Sequence, residues 1–265
     1  MAIFAALPMT PVDWAMASAL ILVGSTLQAA TGLGLGLIAG PILVLTLGGS
    51  AAIFIAIMLN LALSLLLLPQ ESGEVLRPQL LTMTLGAIVG IPLGWLILQQ
   101  LAPLTLKTVA GVIVLLAALQ LLSTRFRGNG EQNSAGPANG RLTLLLGGLV
   151  SGVMCGCLAI PGPAALWAML RCGLPPLGVR ATLRALFAIS YAAAAAIHFG
   201  LDGIASQPWL ETMVLLPAVL LGLGLALLIR RWIDAGTLGM VLNLILLAIG
   251  ISMLWRSWLE MQANV

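Results

Sequence analysis

Apolar positions in this chain fall in long unbroken runs, and the first run is the most informative. From Asp13 to Glu71 no residue between the two is charged. Residues 13–47 read DWAMASALILVGSTLQAATGLGLGLIAGPILVLTL. As one helix they would extend about 52 Å at 1.5 Å per residue. That overshoots a hydrocarbon core of about 30 Å, while two full spans want about 40 residues. The run is interrupted at its centre by Thr31-Gly32-Leu33-Gly34-Leu35-Gly36, then by Gly40-Pro41. Glycine weakens a helix, and proline cannot donate to its ladder. The pattern predicts a helical hairpin whose tip, near Gly32 to Gly36, lies inside the membrane. Irregular backbone at that depth is tolerated only within protein or beside a water-filled cavity, so the tip is the first candidate for a binding site.

Further apolar segments follow at about 51–70, 79–101 and 105–123. From Arg125 to Arg141 the chain turns polar and rich in Gly and Asn, the one clear linker. A second long uncharged run at about 142–170 is again broken in its middle, in GLVSGVMCGCLAIPGPAAL, and three more segments lie at about 179–201, 209–229 and 236–258. The division predicted is a first transmembrane repeat over 1–124, a cytoplasmic linker over 125–140 and a second repeat over 141–265. Gly40-Pro41 aligns with Gly162-Pro163 at an offset of 122, which places Gly34 on Gly156 and Asn60 on Thr182. Pro78 aligns with Pro208 at an offset of 130, which places Gly94 on Gly224. Each half thus opens with a broken long segment and adds three helices.

Composition agrees. The chain has 265 residues, 61% of them hydrophobic and 7% charged, with mean hydropathy +1.14. A soluble domain carries about 25% charged residues. The net charge of +3 is no nucleic-acid signal, because the few Arg and Lys fall at segment ends. The N-terminus MAIFAALPMTP lacks a basic n-region, which argues against a cleaved signal peptide. Cys155, Cys157 and Cys172 are odd in number and lie in or beside apolar helices, which argues against a disulfide framework. One His and no acidic cluster argue against an intramembrane metal centre. The expected class is an all-α polytopic membrane protein.

Charge also selects a topology, because Lys and Arg concentrate on the cytoplasmic side. With one crossing per long segment, the basic residues divide six against five. With each long segment a hairpin, Arg77, Arg125, Arg127, Arg141, Arg171, Arg180, Arg184, Arg230 and Arg231 share one side and only Lys107 and Arg256 the other. The second division is strongly biased and predicts both termini outside the cytoplasm. It also inverts the second half relative to the first, a plan in which transporters place substrate where broken helices meet near the midplane.

The second arm of each hairpin begins at its tip, and a helix N-terminus carries unpaired N–H groups and about half a positive charge. Pro161 and Pro163 suit a first helical turn. Two such N-termini from opposed hairpins would make an anion site without a buried Lys or Arg. The candidate substrate-binding residues are Gln28, Thr31, Gly32, Gly34 and Asn60 at the first tip and its neighbour, Ser151, Cys155, Gly156, Pro161 and Gly162 at the second, and Arg184 as an anion funnel or exit gate. Each has a plainer reading: helix packing for the glycines, interhelical hydrogen bonds for the polar side chains, snorkelling for Arg180 and Arg184. Gly86, Gly90 and Gly94, four apart, read as a packing seam. Cys155-x-Cys157 reads as small packing residues rather than metal ligands. His198 reads as interfacial, and Tyr191, the only tyrosine, needs a hydroxyl partner.

The broken segments TGLGLGLIAGPILVL and GLVSGVMCGCLAIPGPAAL, the G-x-x-x-G-x-P-x-G run at Gly86 to Gly94 and the duplicated layout resemble the sulfite exporter TauE/SafE family, also called the four-toluene sulfonate uptake permease family. The second tip departs from the glycine-rich pattern, with Cys155, Cys157 and Pro161 in place of further glycines. The resemblance implies transport of small sulfur-containing anions such as sulfite, sulfonates or thiosulfate. The expected protein is a secondary transporter of the cell membrane, not an enzyme, in which one repeat rocks against the other. A passive anion channel and a metal-ion exporter are the other readings. Its partners would be a small anion and the lipid bilayer, with a coupling ion and a homodimer left open, and no cofactor or nucleic acid.

Overall fold

The structure is a computed structural model that describes residues 10–126, 139–203, 208–229, 232 and 235–263; most of the linker expected at 125–140 lies outside them. Among the described residues there are ten α-helices and no strand. The first half holds α1 (Pro11–Thr31), α2 (Leu35–Thr46), α3 (Gly49–Leu67), α4 (Arg77–Gln100) and α5 (Pro103–Phe126). The second holds α6 (Gly140–Leu158), α7 (Gly162–Arg171), α8 (Pro176–Leu201), α9 (Trp209–Ile229) and α10 (Ala235–Ala263). Eight of these are long and apolar enough to cross a membrane; α2, with 12 residues, and α7, with 10, are not.

Both broken runs are hairpins. At the start of α1, Thr10 accepts from the Asp13 N–H at 3.2 Å and the Asp13 carboxylate accepts from the Thr10 N–H at 3.3 Å, a reciprocal cap with Pro11 behind it. The helix ends at Gly32, whose φ of 91° lets its N–H return to Gln28 O at 2.8 Å. Then α2 folds back along α1, bringing Leu35 and Ile38 against Gly24. In the second half α6 ends at Ala159, and α7 folds back so that Ala168 faces Gly147. Ala159 is the one non-glycine with positive φ (57°) among the described residues. A Cβ in that conformation costs about 1–2 kcal/mol.

The two halves repeat in element order, each with a short second helix, in a register different from the one glycine matching suggests. Leu35 and Gly162, which open the short helices, lie 127 residues apart (162 − 35), as do the left-handed caps Gly32 and Ala159. The offset of 122 is therefore out by five residues. Gly34 corresponds to Pro161 rather than Gly156, and Asn60 to Phe187 rather than Thr182. Thr182 instead accepts from the Leu76 N–H at 3.0 Å, holding the segment that follows α3 against α8. The slip has a simple cause: the second tip uses Ala and Pro where the first uses Gly.

Pairing runs between halves. Helix α4 packs along α6 and α9 along α1, while α3 meets α8 and α5 meets α10. Exchanging the halves maps these four pairings onto themselves. The α4–α6 seam interleaves Gly86, Gly90 and Gly94 with Gly148, Gly152 and Gly156. A Cβ on Gly90 would strike Leu149 O, and one on Gly152 would strike Ala87 O. Lipid tails supply no hydrophobic drive between helices, so backbone approach of this kind is what binds them. In the α1–α9 seam, Gly222 meets Leu22 O and Ser25, and Thr26 Oγ1 lies 3.1 Å from Gly222 O. Leu22 and Ser25 stand 127 residues before Leu149 and Gly152, the neighbours of Gly90. Gly222 is thus the mate of Gly90, whereas Gly224, which sequence sets against Gly94, is exposed and has nothing within 4 Å of its Cβ position. The opposite face of α4 shows Leu81, Leu85, Val89 and Leu96, an apolar surface suited to lipid.

Lys107 on α5 and Glu260 on α10 form an ion pair at 2.7 Å near the helix ends, with Glu260 about half exposed. Such pairs contribute about 0–1 kcal/mol. Lys107→Met is expected to lower the melting temperature by no more than about 3 °C; a larger drop would show that the pair anchors α10.

Candidate functional site

The two hairpin tips meet in the core. Helix α2 runs across the second tip on its glycines: a Cβ on Gly40 would lie 2.5 Å from Leu158 O, and one on Gly36 would lie 2.5 Å from Tyr191 Oη and 3.4 Å from both Ala159 O and Asn60 Oδ1. Across the contact, a Cβ on Gly162 would lie 3.0 Å from Leu33 Cδ2 and 3.4 Å from Phe187. Between the tips is a cavity of about 10 Å³, room for about one water, walled by Gln28, Gly34, Gly36, Pro161, Gly162 and Tyr191 together with Leu33, Leu37, Ile160 and Phe187.

Polar side chains fix this geometry. Gln28 Oε1 accepts from the Gly36 N–H at 3.3 Å, tying α1 to the first turn of α2. The Thr31 hydroxyl lies 2.8 Å from both Leu27 O and Leu33 O and braces the first tip. Ser151 does the same for the second by donating to Pro161 O at 2.8 Å. Tyr191 donates to Ala159 O at 3.1 Å, holding the strained cap from α8. Asn60 Nδ2 donates to Ala56 O at 2.8 Å, which turns Oδ1 towards Gly36. Asn60 is fully buried, and Oδ1 has no hydrogen-bond partner.

Charge is distributed unevenly between the tips. The last turn of α1 carries no basic residue of its own. Arg184, 4% exposed, donates to Ala29 O at 3.0 Å, and Arg180 reaches Ala30 O at 3.5 Å. Two guanidinium groups therefore cap the negative end of α1 beneath the first tip. Both α2 and α7 begin at the cavity, so two positive helix ends face it. Donors at the second are sparse, because Pro161 and Pro163 lack N–H groups. Arg184→Met is expected to lower stability by about 2 kcal/mol, the upper range for a partly buried cation at a helix end. An unchanged melting temperature would show that the guanidinium does not hold the tip.

Of the residues expected at the site, the structure gathers Gln28, Gly34, Asn60, Pro161 and Gly162 around one point. Thr31, Gly32, Ser151 and Cys155 brace the tips from behind; the Cys155 carbonyl accepts the Ala159 N–H at 2.9 Å. Arg184 lies under the first tip. Gly156 is placed in the α4–α6 seam against Ile91 O, outside the cavity wall. Gly36, Ile160, Phe187 and Tyr191 belong to the wall without having been among the site residues. Gly36 and Tyr191 carried signals, the first as a glycine of the broken tip and the second as a lone hydroxyl in an apolar helix. His198, in the last turn of α8, is 1% exposed, with Nδ1 2.7 Å from Asp202 and its ring edge-on to Phe54.

A family model described as "Sulfite exporter TauE/SafE" matches residues 16–255. Comparisons with curated proteins and with solved structures produced no match. The family match spans both hairpins and all but the outer ends of the first and last helices, and the chain therefore belongs to the sulfite exporter TauE/SafE family of membrane transporters.

Proposed function

We propose that this protein is a secondary transporter that moves a small sulfur-containing oxyanion, sulfite or a sulfonate, across the cytoplasmic membrane by alternating access, with the anion bound between the hairpin tips. The observation that carries this reading is the meeting of two helix N-termini, α2 and α7, at one buried cavity that Gln28 and Tyr191 also line. Helix N-termini favour a negative charge, and in the apolar core that attraction is little screened. The pairing of α1 with α9 and of α4 with α6 supports two related halves. With the bias of basic residues to one side, it supports an inverted second half and termini outside the cytoplasm. The present cavity is smaller than the anion, so binding requires the tips to separate.

Purified protein reconstituted in vesicles tests this directly. Uptake of labelled sulfite should saturate, and unlabelled sulfite preloaded on the far side should accelerate it. Flux that rises linearly with concentration and shows no counterflow would identify a passive anion channel built on the same helix ends. A thermal-shift panel of sulfite, sulfoacetate, taurine, thiosulfate, sulfate, acetate and chloride should single out one sulfur anion. Stabilisation by none of them would remove the tips as an anion site.

A further inference from the structure

A groove of about 350 Å³ opens between α5, α6 and α7, within the range of about 300–1,000 Å³ that holds a bound molecule. Leu116 of α5, Leu146, Val150 and Met154 of α6 and Trp167 of α7 wall it. Leu116, Leu146, Val150 and Trp167 are each about half exposed, so the groove faces outwards from the bundle. From Leu146 to Met154 it follows α6 for about 12 Å. The one amide in the wall, Gln120, is already committed, with Nε2 donating to Pro163 O at 3.1 Å. The wall asks for hydrocarbon. None of its residues lines the cavity between the tips.

The repeat shows that this space is particular to one half. Exchanging the halves carries α5, α6 and α7 onto α10, α1 and α2, and there α10 packs on both of its neighbours. Helix α5 instead packs on α10 and α2 and touches α7 only lightly. The same joint is closed by protein in one place and open in the other. The mouth of the open one carries a charge. Arg171, in the last turn of α7, lies with its guanidinium 5.8 Å from the centre of the Trp167 ring. It is exposed and has no carboxylate partner among the described residues. Tryptophan belongs at headgroup level, and arginine there attracts anionic lipid.

We infer that the groove is a binding site for an anionic phospholipid, with one acyl chain between α5 and α6 and the phosphate on Arg171. Lipid tails are as apolar as the wall, so the chain supplies fit and the headgroup supplies selectivity. The site does not depend on the anion proposed at the tips.

The melting temperature of delipidated protein in detergent would be followed during titration with phosphatidylglycerol or with phosphatidylcholine of the same chains. Phosphatidylglycerol is expected to raise it by about 3–6 °C at ten times its Kd. It should half-saturate at a concentration about fivefold lower than phosphatidylcholine, the factor one arginine at the surface contributes. Arg171→Gln should erase that difference and keep the response to phosphatidylcholine. Val150→Phe, which lays a ring in the groove, should abolish both responses, and Leu116→Trp, which fills it from α5, is the second such variant. Equal titrations by the two lipids, or full responses in both groove-filling variants, would overturn the proposal. So would a dimer in light scattering that Val150→Phe converts to monomer, because a second copy of the chain would then cover the groove.

Discussion

Replacing Gly36 with alanine should abolish or severely slow transport while the protein still folds. The new Cβ would lie 2.5 Å from Tyr191 Oη, at the point where the polar groups of both tips converge. Overpacking by one methyl group costs about 1–3 kcal/mol. If that cost falls on the bound state, transport drops by about 5- to 150-fold. Vesicle flux measures the loss, and size-exclusion chromatography with a thermal melt checks the fold. Gly36 is more informative than Gly34, whose Cβ would press on the backbone of α1 at Gln28 N (2.6 Å) and Gly24 O (2.7 Å) and so break the hairpin itself. Wild-type flux from Gly36→Ala would place the substrate elsewhere.

The second large effect concerns assembly. Gly90→Leu should prevent recovery of folded protein, because the Leu149 carbonyl already occupies the space its Cβ needs and α6 cannot retreat without opening the whole seam. Packing is the principal force between helices in lipid, so separation by even an ångström forfeits much of it. Gly224→Leu, on an exposed stretch of α9 with nothing within 4 Å, is the matched control and should purify like wild type. Equal yields from both variants would show that the seam tolerates widening.

The hairpins were legible because their breaks are made of glycine and proline inside runs that otherwise have no reason to stop. Their register was not. Three glycines of the second long run, Gly148, Gly152 and Gly156, serve a seam with α4, yet they resemble tip glycines when only one strand of the pairing is visible. The true second cap is Ala159, whose positive φ is imposed by its surroundings rather than encoded by its residue type. Gly86, Gly90 and Gly94 were readable as packing from their spacing, but not their partner helix, since a lipid-facing side and a protein-facing side share one composition. Asn60, an amide inside an uncharged apolar segment, was legible as a candidate. That it presents a carbonyl oxygen rather than an amide nitrogen follows from Ala56 one turn back, and only coordinates reveal it. His198 reads as interfacial from its place near the end of its helix; its pairing with Asp202, one turn on, is visible only in the folded chain.

The crossed pairing of α4 with α6 and α9 with α1 bears on how such a molecule could move. Chain order divides it at the linker, but the tightest joints do not. A motion that kept both seams intact would carry α4 together with α6 and α7, and α9 together with α1 and α2. The bodies in such a motion would then be interlaced, each borrowing one helix from the other half of the chain. The bending would fall on the connections that lead into the borrowed helices. One of these is the 3-10 segment Leu68–Glu74, before α4, and the other begins at Gly203, before α9, where φ is 82°. Stiffening the first, for instance with proline at Ser72, would then act as a brake on turnover without touching either tip.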